Sequence, residues 1–283
     1  NDQQFHSADT STQIKIGYPK LAHEDNQAFL KSAGSNPIRT LLPLTIINGE
    51  IENTINAQNG LALVLPSSQN VVKWASATEF EVSQDGKLTN PRLSSDSTKF
   101  IFDVVGSWAS DDTITIENLQ LKGFSDVLIP SWIRLSADAS DNYDIANAQS
   151  MHHLRVGDTQ LNVSRHHAYT IGDDSNRILD SIKIWENTVP VISKNVGIHL
   201  KIPEALHMKW NSDAEFVWID SMGVQRLDMF GRDTILQDGA VLSVEILADL
   251  TKADTLYLKG PLFEDFAAIS DSSILDLSVV YPH

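Results

Sequence analysis

The chain has 283 residues, a formal net charge of -16 and no cysteine. Without cysteine there is no disulfide framework, thiolate metal site or Cys nucleophile. An acidic balance with no clustered Lys and Arg lacks the footprint of a nucleic-acid binder, and no apolar run approaches the roughly 20 residues of a membrane helix, so neither nucleic acid nor membrane insertion is expected.

Residues 1–11 (NDQQFHSADTS) are polar and without periodicity, as in a flexible arm. A polar start without Met reads as an exported chain whose signal peptide has been removed, or as a trimmed one. The first strand is expected at Thr12, Gln13, Ile14, Lys15 and Ile16, echoed in the second half by Thr159-Gln-Leu-Asn-Val163. A short amphipathic turn is expected around Ala28, Phe29 and Leu30 before Gly34 and Pro37 break it. Arg39 to Ile46 then matches Arg177 to Ile184, with Pro43 marking an edge strand or bulge. Gly60-Leu-Ala-Leu-Val-Leu-Pro66 aligns with Gly197-Ile-His-Leu-Lys-Ile-Pro203. Each leads into a Lys-Trp step, Lys73-Trp74 and Lys209-Trp210, and then to Phe80 and Phe216. A Trp opening the strand after a Pro-stopped strand would plug one end of a sandwich core.

The longest match follows. Phe100 to Leu135 lies without a gap on Leu242 to Leu277: Phe100, Phe102 and Val104 alternate in phase with Leu242, Val244 and Ile246, and Ile114 and Ile116 with Leu256 and Leu258. Period-two alternation is what a strand with one buried face requires, and the agreement at buried and turn positions reads as a duplicated fold. Turn signals roughly every 8–12 residues and about seven or eight short strands per unit predict an all-β chain of two tandem related β-sandwich domains. The expected division is an arm over 1–11, a first domain over 12–141 and a second over 142–283.

The phrases Gly197 to Trp210 and Asp254 to Phe266, with their more divergent copy in the first half, resemble the immunoglobulin- and cohesin-like β-sandwich repeats of secreted prokaryotic surface proteins. The resemblance covers core and turn positions. It implies a scaffold or adhesive module without catalytic residues, and it carries no active site across.

Candidate chemistry lies outside the matched positions. Asp138, Asp141 and Asp144 at the junction, and Asp173 and Asp174 beyond it, are the candidate calcium ligands, because calcium takes several oxygens from one flexible loop; turn formation and solubility are the other reading of such Asp runs. The doublets His152-His153 and His166-His167 flank the strand at Leu161 and invite metal or haem ligation, against a solvent or interface role. Trp108, Trp132 and Trp185 have no Trp in the other copy and would either stack on sugars or pack inside. No Gly-x-Ser-x-Gly elbow is present, and Asp111 and Asp112 fall at a turn repeated at Asp254, so no enzyme is expected. Asn162-Val163-Ser164 fits a glycosylation acceptor on an exported chain.

Taken together these features predict a structural subunit of an extracellular assembly, a filament, sheath or surface layer, polymerising with itself. The segment Thr12 to Ile16 is the candidate interface, adding as a strand to a neighbouring sheet. The alternative is an adhesin or carbohydrate-binding segment of a larger surface protein, with glycans or other surface proteins as partners. No cofactor other than calcium is expected.

Overall fold

Alternation of apolar and polar residues, broken every few positions by turns, gives short strands, and these dominate the computed structural model. It describes residues 19–23, 25–32, 37–50, 54–66, 71–83, 86–139, 153–163, 168, 177–178, 181–194, 196–213, 215–252, 254–268, 273 and 275–280. In chain order the strands are β1 (Lys20–His23), β2 (Gln27–Leu30), β3 (Arg39–Thr40), β4 (Leu44–Ile47), β5 (Leu61–Val64), β6 (Val72–Trp74), β7 (Glu81–Val82), β8 (Leu88–Leu93), β9 (Lys99–Val104), β10 (Thr113–Glu117), β11 (Gln120–Gly123), β12 (Leu128–Ser131) and β13 (Arg134–Ser136). They continue as β14 (Leu154–Gly157), β15 (Thr159–Val163), β16 (Arg177–Ile178), β17 (Ile182–Glu186), β18 (Gly197–Lys201), β19 (Lys209–Trp210), β20 (Val217–Asp220), β21 (Phe230–Leu236), β22 (Val241–Ile246), β23 (Thr255–Lys259), β24 (Leu262–Glu264) and β25 (Asp276–Val280). Among the described residues the helical content is one 3-10 turn, Glu204–Leu206. The chain is all-β.

Two compact units result. The described residues of unit 1 fall within Asn1–Asn26, Ile38–Lys122 and Trp132–His153, and those of unit 2 within Gln27–Pro37, Gly123–Ser131 and Leu154–His283. A division at residue 141 by sequence alone leaves Gln27–Pro37 and Gly123–Ser131 with the first unit. Pairing places them in the second, because β14 pairs in parallel with β2, Leu154 opposite Gln27, and antiparallel with β12.

Unit 1 has sheets in the order β1-β4-β10-β7, β13-β5-β9-β8 and β3-β11-β6. Unit 2 has β15-β17-β23-β20, β25-β18-β22-β21 and β16-β24-β19, and adds β12-β14-β2. The strand order of unit 1 thus recurs in unit 2, and so does the register. Leu63 faces Phe100 as Leu200 faces Leu242, and Ile46 faces Ile114 as Ile184 faces Leu256. In unit 2 the inner faces of two sheets meet in one core, Ile182, Ile184, Leu256 and Leu258 from one and Ile198, Leu200, Leu242 and Val244 from the other, which is sandwich packing.

The Lys-Trp steps close each core in the same way. Trp74 Nε1 donates to the Leu63 carbonyl at 3.3 Å and Trp210 Nε1 to the Leu200 carbonyl at 3.1 Å. Both indoles are fully enclosed, so the large apolar ring is buried while its one polar group is satisfied. Trp74 meets Phe100 edge-on at 5.6 Å, and Trp210 meets Phe263 at 4.8 Å.

Two expectations are corrected. Arg39 to Ile46 is two strands rather than one: β3 joins β11 and β4 joins β1 and β10, the chain changing sheet across Leu41 to Pro43. Pro43 therefore precedes an interior strand instead of lying in an edge one. The stretch around Ala28, Phe29 and Leu30 is strand β2, not a turn. The place beside β4 that corresponds to β15 is held by Lys20–His23, with Leu21 opposite Ile46 where unit 2 has Leu161 opposite Ile184; the echo expected at Thr12 to Ile16 lies outside the described residues.

Candidate functional site

Of the predicted calcium ligands, Asp138 alone lies among the described residues. Asp138 is buried in the turn that ends β13. There Ser136 Oγ donates to the Asp138 carbonyl at 3.0 Å and accepts from the Asp138 N–H, so its backbone has a turn-closing role. Asp141, Asp144, Asp173 and Asp174 lie outside the described residues, as do His152, His166, His167 and the segment Thr12, Gln13, Ile14, Lys15 and Ile16. His153 is half-buried, and its backbone N–H donates to Asn26 Oδ1 at 3.0 Å. Among the described residues no group of three or more His, Cys, Asp or Glu could hold a metal. Of the three unmatched tryptophans, Trp108 is buried with Lys87 Nζ 5.8 Å from its ring, Trp185 is half-buried under Lys183 Nζ at 4.7 Å, and Trp132 is 45% exposed. Asp112 accepts the Ala109 N–H at 2.8 Å, and Asp254 accepts the Thr251 N–H at 2.6 Å. Both carboxylates shape equivalent turns.

What distinguishes the two units is their surface. The connection from β20 to β21 is longer than its counterpart from β7 to β8 and carries a hydrogen-bonded tip. Asp220 Oδ1 accepts the N–H groups of Met222 and Val224 at 2.8 and 3.0 Å, the Arg226 N–H reaches the Trp218 carbonyl at 2.9 Å, and Arg226 pairs with Asp228 through Nε at 3.0 Å and through a terminal nitrogen at 3.2 Å. This scaffold holds Met222, Val224 and Leu227 at 84%, 55% and 74% exposure. The corresponding stretch of unit 1, Ser83 to Lys87, is polar. Met222, Val224 and Leu227 thus form an exposed apolar cluster on a hydrogen-bonded hairpin.

The lateral edge differs as well. In unit 1 the core-facing residues of the outer strands, Leu21 and His23 on β1 and Leu135 on β13, are buried. In unit 2 their counterparts Leu161 and Val163 on β15, and Leu277 and Val279 on β25, face the core but are only part-buried. β1 approaches β13 closely, whereas β15 and β25 make less contact.

A third difference lies at one interior position. Asn48 in unit 1 donates to the carbonyls of Trp108 and Ala109 at 3.3 and 2.7 Å and accepts the Ile55 N–H at 2.9 Å. Its counterpart in unit 2 is Glu186, whose Oε1 accepts the N–H groups of Val191 and Ile192 at 3.1 and 2.7 Å, while Thr159 Oγ donates to Oε2 at 2.7 Å. Burial pushes the Glu186 carboxyl above the usual carboxylate range, against those three donors and the nearby Arg155 charge. Unit 1 also has a polar groove lined by Thr78, Glu79, Phe80, Asn118 and Gln120, where Gln120 Nε2 donates to Glu79 Oε2 at 2.8 Å. At the matching place in unit 2, Gly260 sits so close that an added Cβ would lie 2.5 Å from the Glu215 carbonyl.

Sequence reasoning did not single out the tip, the part-buried edge or Glu186. The available signals were the unequal β20–β21 connection and a charged residue standing where the repeat has Asn48.

No family model matches the chain, and no curated protein does. Among solved structures it is similar to the secreted serine protease VesC from Vibrio cholerae, at 11% identity and a TM-score of 0.24 over 93% of this chain. It spans 50% of that chain. It is also similar to the Enterococcus faecalis MSCRAMM ACE, described as binding its ligands by the collagen hug model, at 9% identity and a TM-score of 0.21 over 96% of this chain and 95% of that one. Likenesses at these TM-scores carry no argument. Among the described residues no helix is long and apolar enough to cross a membrane, which says nothing of a β-barrel.

Proposed function

We propose that the chain is a structural subunit of an extracellular assembly, built from two related sandwich units and polymerising with itself through subunit contacts that include strand addition by the N-terminal arm. The observation that carries this reading is the hydrogen-bonded tip of unit 2, where Met222, Val224 and Leu227 are held out to solvent by the Asp220 carboxylate and by neighbouring backbone bonds. An acidic chain gains nothing in solubility from three exposed apolar side chains, and as an interface core they would be covered. No catalytic role is proposed. Electron microscopy and light scattering of the full chain should show polymers, and deletion of residues 1–16 should abolish them while both units stay folded. The double variant Met222→Ser/Leu227→Ser should weaken self-association about tenfold, as expected for losing an apolar anchor worth somewhat more than 1 kcal/mol. A full chain that stays monomeric at every concentration would refute the reading.

A second reading is favoured by the polar groove at Phe80 and the half-exposed Trp132: an adhesin or carbohydrate-binding segment of a larger surface protein. It requires a monomer that binds an immobilised glycan, with binding lost in Glu79→Ala/Asn118→Ala.

A further inference from the structure

The outer strands of these sandwiches are protected unequally. Strand β8 carries Pro91, a register shift and Asn90 in the left-handed region at φ 49°; all three discourage another strand from pairing there. Strand β21 also has a register shift, β7 is two residues long, and β20 is engaged by the Ile219–Gln225 bridge. The outer strands of unit 1, β1 and β13, close over their core residues. In unit 2, β25 lies beside β2. Strand β15 has none of these devices. Its five residues run in unbroken register with β17, from Thr159 opposite Glu186 to Val163 opposite Ile182. Among the described residues it has no neighbour on its other side. Its inward side chains Leu161 and Val163, and Leu277 and Val279 of β25, are left part-covered.

The chain also holds a strand-patterned segment outside the described residues. Thr12-Gln-Ile-Lys-Ile16 shares with Thr159-Gln-Leu-Asn-Val163 its first two residues and its apolar third and fifth positions. The place that likeness would give it, beside β4, is taken by Lys20–His23.

We infer that the free edge of β15 is the acceptor for Thr12 to Ile16 of a second copy of the chain, added antiparallel with Ile16 opposite Leu161 and Ile14 opposite Val163. The two isoleucines enter the gap towards Leu277 and Val279 and cover what the sandwich leaves open. Lys15 falls opposite the exposed Asn162 on the outer face. The added strand satisfies the outer backbone groups of β15, and the alternating side chains set its register. This rests on the proposed self-assembly and names its acceptor.

The cysteine-free chain allows a clean test. Purified Lys15→Cys and Asn162→Cys chains, both altered on the outer face, are mixed, allowed to assemble and oxidised mildly. The expected product is a disulfide-linked pair containing one chain of each kind, with the unfolding midpoint of each variant unchanged. Polymers that form without this disulfide overturn the acceptor and leave the assembly reading standing. Asn162→Cys homodimers, which would put two β15 edges face to face, overturn it too. So does a Lys15→Cys/Asn162→Cys double variant that closes the bond within a single chain. Absence of polymers under all conditions overturns the assembly reading and the inference with it.

Discussion

Position 48 of unit 1 and position 186 of unit 2 occupy the same corner of the same topology, each backbone N–H bonded to the carbonyl of an equivalent aspartate, Asp112 or Asp254. Each side chain is buried and each accepts an N–H from the loop that follows, yet one is a neutral amide and the other a carboxyl. Strand order, register and the Trp-to-carbonyl bond are common to both units, while the chemistry set into that frame differs. Backbone pairing and packing tolerate few alternatives; a buried polar plug needs only the right hydrogen-bond partners.

The comparison can be broken most forcefully at the shared feature. Trp74→Ala and Trp210→Ala should each cost about 3–5 kcal/mol, the range for removing a large buried aromatic. In denaturant unfolding followed by circular dichroism each should lower only the transition of its own unit. Equal losses in the two units would support equivalent roles, and a loss below about 1 kcal/mol in either would break the equivalence.

A smaller effect is expected at one tightly packed and one open glycine. A Cβ at Gly157 of unit 2 would lie 2.0 Å from the Val189 carbonyl and 2.6 Å from Val191 Cγ1. Gly157→Ala should therefore cost about 1–3 kcal/mol through overpacking. At Gly86 of unit 1 a Cβ meets nothing within 4 Å, and only its φ of +86° opposes the change; Gly86→Ala should cost about 1 kcal/mol.

The amide–carboxyl difference sharpens the comparison through pH. Because burial raises the Glu186 carboxyl in the folded state, folding favours its protonated form. Its contribution to the stability of unit 2 is fully present below the ordinary glutamate value of 4.5 and is lost as pH rises through the higher folded value. Arg155, the Thr159 hydroxyl and the N–H groups of Val191 and Ile192 act against that rise. Glu186→Gln should flatten this dependence, and Asn48→Asp should introduce one into unit 1, both read from unfolding midpoints across pH. An unchanged pH profile in Glu186→Gln would show that the carboxyl does not titrate there.

The smallest effect on stability is expected at the tip. Met222→Ser should shift the unfolding of unit 2 by no more than about 0.5 kcal/mol, as at other exposed positions.

Much of the common frame was legible because alternation survives sequence drift. Phe100, Phe102 and Val104 against Leu242, Val244 and Ile246 located β9 and β22. Where the signal failed, a physical reason is visible. β1 hides its alternation because one of its two inward residues is His23. β2 is buried at three consecutive residues, Gln27, Ala28 and Phe29, and a strand covered on both faces has no period of two. Nothing in the alternation of Arg39 to Ile46 announces that the chain leaves one sheet for another. The apolar tip was not legible either, because nothing in the residue types of Met222, Val224 and Leu227 says that a hairpin holds them outward. The candidate edge depends on which strand lacks a neighbour, a property of pairing that no local window contains.

Strand β15 has its counterpart β1 in unit 1, but only β15 leaves its inward residues part-covered. A chain that offers a strand at one terminus and receives one on a surface of different sequence makes contacts between unlike patches, and such contacts close into rings or run on as open fibres with a direction. The two tips of such a fibre are chemically different, one ending in an unfilled β15 and the other in an undocked arm. A short free peptide of sequence TQIKI would then stop growth at the first tip and leave the second untouched.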